Sequence, residues 1–352
     1  MLALLLCGLA TPLAAHVKWF SDFSFADPPL GLDEALTPLF LGLAAAAAAT
    51  IALLGWLERR VCDTGPYRRV AEWLQARRES SMLVMRIAVG VVLLLSWQVG
   101  TVIAPELHVE AWVGWAQFGI ALLLLFERTV PLAGAGVLGL YALAAADVGI
   151  FHMLDYLAWA GAGWFLLTSG AAHERIRGTA IPALYLAVGF SLCWVALEKV
   201  FYPQWGFYIL GRNPQLALGF DFRFFLLAAA FIEFALGYLL ILGLLERPMA
   251  LLVTLVFFTT TLVFGKTEVV GHTLLHGALI VFLLEGKGRV YPAPISFHEH
   301  PALRSAFAGV NFLLLLAVLM VPYAWTAEWK YRHYSPVEQT TPIESVPPGN
   351  TP

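Results

Sequence analysis

The chain is poor in charge. Lys, Arg, Asp and Glu make up 13% of its 352 residues, about half the share of a soluble domain. That scarcity excludes a soluble enzyme and a disordered chain. A net charge of −3 excludes the basic surface on which a nucleic-acid binder depends. Cysteine is scarce too. Of the three, Cys7 lies near the N terminus, Cys62 in a basic stretch and Cys193 inside an apolar run, so no pair shares a compartment that would form a disulfide. No Cys-x-x-Cys-His haem-attachment motif occurs. Without a flavin or iron–sulfur signature either, electron transfer would need a redox protein partner.

Apolar sequence is what the chain has in quantity. Hydrophobic residues are 60% of it and mean hydropathy is +0.76. A spanning helix takes about 20 apolar residues. About ten such runs follow an N-terminal leader, at 35–57, 82–103, 109–126, 130–147, 150–168, 180–201, 222–245, 248–265, 269–285 and 303–325. They predict an all-α integral membrane protein embedded in a lipid bilayer.

Residues 1–15 are apolar and end Pro12-Leu13-Ala14-Ala15, the form of a signal peptide cleaved after Ala15. The segment 16–34 then lies outside. The loop 58–81 holds Arg59, Arg60, Arg68, Arg69, Arg77 and Arg78, and the Lys/Arg bias places it inside. Helix parity puts both mature termini outside, which in a bacterium is the periplasmic side of the inner membrane. Within the basic loop, Val70, Trp73 and Leu74 sit at helical spacing, so the stretch reads either as a helix on the membrane surface or as a solvated loop. The Pro-rich tail 326–352 is expected to be disordered.

The chain resembles itself. Blocks 82–170 and 180–286 share Ala88-Val89-Gly90 with Ala187-Val188-Gly189, Gln117-Phe118 with Glu233-Phe234, and Glu127-Arg128 with Glu246-Arg247. The same comparison pairs His152 with His272 and Tyr156 with His276. Four spans per block give both copies one orientation, so tandem parallel four-helix bundles are expected, with a flanking helix at each end.

Ionisable groups in spanning helices are costly and mark candidate sites. Glu233 is mid-helix, and Glu268, His272 and His276 share one helical face. Glu233 and His276 are placed to meet across the bundle, where they would handle a proton or a quinone, hold a metal, or simply tie helices together. Glu198-Lys199 ends its helix at the outer boundary, with Lys199 reaching towards water, and Glu268 lies beside Lys266 in a loop-like setting. Cleavage after Ala15 would also free the His16 amine and imidazole to chelate copper, with His152 among the imidazoles able to complete the site.

The second block resembles the DoxX/DoxD family of four-helix membrane proteins. The resemblance rests on Leu197-Glu198-Lys199-Val200-Phe201, on Glu233 followed by Gly237 to Leu244 and Arg247, on Gly271-His272, and on Gly286-Lys287-Gly288-Arg289. It implies a subunit of a quinone-linked oxidoreductase. A transporter or copper-handling protein, and an assembly factor without chemistry of its own, are the other readings the residues allow.

Overall fold

A computed structural model describes residues 17–21, 23–24, 26–286 and 300–338. Residues 1–15, expected as a leader, His16 and the residues beyond 338 lie outside the described residues. Nine helices among those described are long and apolar enough to cross a membrane. Helix α1 (Pro38–Cys62) opens on Pro38 at its first turn, with Thr37 accepting a capping bond from the Phe40 amide. The short α2 (Gly65–Gln75) leads to α3 (Ser81–Val99). A two-stranded antiparallel ribbon, β1 (Thr101–Val102) and β2 (Ala104–His108), precedes α4 (Ala111–Leu123) and α5 (Val130–Val148). Short turns over 150–156 enter α6 (Leu157–Thr168), which completes the first block. The second block comprises α7 (Ala180–Phe201), α8 (Pro203–Arg212), α9 (Phe222–Leu242), α10 (Glu246–Phe264) and α11 (Lys266–Glu285). Helix α12 (Pro301–Glu338) closes the chain.

Two expected boundaries are corrected. The run 109–126 yields only 13 helical residues in α4, about 20 Å of rise and short of a full crossing. The helix begins only at Ala111, after Glu110 in extended backbone, and past Leu123 the chain turns, its Leu124 and Leu125 carbonyls accepting from the Arg86 side chain. The stretch 326–338, expected as disordered tail, instead continues α12. Its apolar stripe runs on through Tyr323 and Ala327 to Lys330, all buried, so packing carries the helix past the last apolar run.

Eight helices close into one ring. The order of contacts is α3, α4, α5, α6, α7, α9, α10, α11 and back to α3. The last helix of each block therefore packs on the first helix of the other, as two parallel copies around an axis along the bundle require. Close approach at these two seams depends on small residues. Gly161 of α6 presses on Ala187 of α7, and Gly277 of α11 presses on Ala88 of α3.

Because Ala88 and Ala187 are repeat partners, Gly161 and Gly277 are partners as well. Nine residues before them stand His152 and Glu268, and five before them Tyr156 and His272. The sequence pairing of His152 with His272 and of Tyr156 with His276 is thus four residues out of register. The packing pairs Tyr156 with His272.

Helices α1 and α12 pair beside α9. Their lower ends are joined by a buried ion pair between Glu58 and Arg304. The end bearing residues 17–31 is called upper below, and the end bearing α2 lower.

Candidate functional site

Residues 17–31 lie across the upper end as a strap. Val17–Trp19 forms one 3₁₀ turn. The Leu30 amide bonds to the Phe201 carbonyl, and Trp205 donates to Asp27 at 2.6 Å. Lys18, only 3% exposed, inserts its ammonium between Asp155 of the first block and Glu198 of the second, 2.7 Å from Glu198. Burial lowers the proton affinity of that ammonium. The two carboxylates outweigh burial and hold Lys18 above its ordinary value. Asp155 Oδ1 and Glu198 Oε1 remain buried without hydrogen-bond partners among the described residues.

Trp19 reaches both repeats. Its Nε1 donates to the Tyr156 hydroxyl at 3.1 Å, and its ring centroid lies 4.9 Å from that of His272. A Cβ on Gly271 would collide with the Trp19 ring, so only glycine leaves room for it there. The repeat partners Tyr156 and His272 thus face one another across the strap's indole.

Tyr156 donates in turn to Glu106 Oε1 on the ribbon, and His152 Nε2 lies 3.2 Å from the same oxygen. Glu106 Oε2 is buried without a hydrogen-bond partner among the described residues. The Glu106 side chain is 12% exposed and lines a cleft of about 600 Å³ between the ribbon, α4 and α5. Apolar walls from Val102, Leu107, Val113, Leu143 and Val148 meet Glu106, Glu110 and Asp147 there. Trp112 and Leu143 on its rim are exposed, so the cleft opens at the surface of the bundle beside apolar side chains.

The residues singled out in the second block do not gather in one pocket. Glu233 bonds to Lys199 at 2.6 Å and not to His276. His272 Nδ1 lies 2.6 Å from Glu268 Oε2, which also accepts from Thr260 at 2.8 Å. His276 packs beside the Phe258 ring at 4.8 Å. Glu198 and Lys199, expected at a wet boundary, are both buried, because the strap and α8 roof them over. Glu268 is likewise fully buried, drawn inward by His272 and Thr260. His152, a candidate copper ligand, is engaged by Glu106. Among the described residues no three His, Cys, Asp or Glu side chains are grouped to hold a metal ion.

Lys18, Trp19 and Glu106 were not legible as site residues. Lys18 and Glu106 stand outside the apolar runs, where a charge reads as solvated. Gly271-His272 was the one usable signal, a glycine beside a membrane histidine. No family model, curated protein or solved structure matches the chain.

Proposed function

We propose that this chain is the quinone-binding membrane subunit of an oxidoreductase system, akin to DoxX-type proteins, with its upper end on the periplasmic face of a bacterial inner membrane. Glu106 carries the reading. One of its oxygens is shared by a phenol and an imidazole, and the other is buried without a partner among the described residues, beside an apolar cleft that opens at the surface of the bundle. Ligand sites combine mostly apolar walls with a few placed polar groups, and a membrane-dissolved headgroup would enter past Trp112 and Leu143. Reduction of a quinone takes two electrons and two protons. A redox protein partner at the upper end supplies both electrons. Glu106, as its carboxylic acid, gives one proton to a quinone carbonyl and, reprotonated by water from the upper end, gives the second, while Tyr156 and His152 hold its other oxygen.

A transport path has less support. Between the blocks, the lower half is filled by Met85, Val89, Leu184, Val188, Leu279 and Phe282, all buried.

The test is titration of the purified protein with a short-chain quinone, followed by tryptophan fluorescence. Saturable binding is expected. Glu106→Leu should weaken it by up to about tenfold, the worth of one hydrogen bond donated by its protonated carboxyl to the quinone carbonyl. Leu143→Trp should block entry, and Glu233→Gln should leave binding unchanged. Binding indifferent to both Glu106→Leu and Leu143→Trp would end the reading.

A further inference from the structure

We infer that α2 is a docking surface for anionic phospholipid headgroups at the lower face of the bundle. The inference is independent of the quinone reading. The helix carries three stripes. Tyr67, Ala71 and Leu74, at helical spacing, are half-buried on the side that packs towards α11. Val70 and Trp73, one step around, are 57% and 56% exposed. Arg68, Glu72 and Gln75 form the third, exposed stripe.

No residue of α2 is fully buried, yet the helix joins the lower ends of two spanning helices. That position holds it at the boundary between lipid and water. A helix there with one protein-facing stripe, one bare apolar stripe and one charged stripe lies flat, with the bare stripe in the acyl region.

Charge decides which lipid it meets. Arg59, Arg60, Arg68, Arg69, Arg77 and Arg78 are all exposed. The acids among them are Asp63, Glu72 and Glu79, since Glu58 is buried against Arg304. Three positive charges are therefore in excess. The Arg77 guanidinium lies 3.8 Å from the Trp73 ring centroid, and Arg60 lies the same distance from that of Trp56. Both cations are thereby held beside exposed indoles, at the depth where phosphates lie. Arginine clusters next to a spanning helix attract anionic lipid.

Fluorine NMR of the full-length, fluorotryptophan-labelled protein in lipid nanodiscs tests this. The Trp73 line is identified by its loss in Trp73→Phe. At equal mole fraction, spin-labelled phosphatidylglycerol should broaden that line about fivefold more than spin-labelled phosphatidylcholine. Arg69→Gln with Arg77→Gln should erase the difference. So should about 1 M salt applied to the wild-type protein, an arm that needs no variant to fold. Equal broadening by the two lipids in the wild-type protein would overturn the inference. Broadening by neither would do so as well, because the stripe would then be in water or covered by another protein.

Discussion

Lys18 is a buried cation whose counter-charges come from two different repeats, so its removal leaves carboxylates in a place water does not reach. Lys18→Met should destabilise the protein by about 3–5 kcal/mol, because breaking a buried pair costs more than replacing it. Adding Asp155→Asn and Glu198→Gln should return most of that loss. Thermal unfolding of the solubilised protein measures both, and a triple variant no better than the single one would show that packing, not charge, sets the cost. Gly271 is the matching test for Trp19. Gly271→Ala forces the indole aside, and overpacking of this kind costs about 1–3 kcal/mol. The expected readout is a lowered midpoint together with faster proteolysis within 17–31.

At the scale of elements, the spanning helices were legible because lipid demands long apolar runs and because a helix satisfies its own backbone there. What was not legible was where packing overrides hydropathy. Helix α12 continues through polar residues because Tyr323, Ala327 and Lys330 keep one face buried. Helix α4 is short because the ribbon holds the chain up to His108 and because it turns past Leu123, where Arg86 from a neighbouring helix caps the Leu124 and Leu125 carbonyls. The four-residue register error arose because a histidine pair looks like a match, whereas the seam is set by Gly161 and Gly277. A larger residue at either glycine should part α6 from α7 or α11 from α3. Gly161→Leu and Gly277→Leu are each expected to lower the unfolding midpoint, whereas Gly139→Leu, where nothing lies within reach of a Cβ, should not.

For the whole molecule, the doubled parallel layout followed from ordered matches along the sequence, and the upper end is where the copies diverge in chemistry. Gln117 donates to the Thr101 carbonyl at 2.9 Å, whereas its counterpart Glu233 holds Lys199. A single sequence does not say which charges a distant segment will roof over, so the strap went unseen. Its charge has a pH consequence. Because Lys18 is held above its ordinary value of 10.5, its contribution is complete below that value and fades only as pH rises through the folded-state value. His152, Tyr202 and Lys330 are the other titratable groups that sense its charge. Raising the pH from about 7 to about 10 should therefore leave the strap docked. Amide hydrogen exchange over 17–31, corrected for the intrinsic pH dependence, provides the check, and release of the strap within that interval would contradict it.

The seat of Trp19 also sets an order of events during synthesis. Its contacts at Tyr156, Gly271 and His272 are made by residues that leave the ribosome long after it does. At about 5–20 residues per second, the indole waits roughly 10–50 s for Gly271 to appear. Throughout that interval the growing bundle has an unsealed mouth, and its acids stay hydrated. The turn that carries Trp19 is thus among the last to find its place, and its arrival reports that the second copy has been inserted.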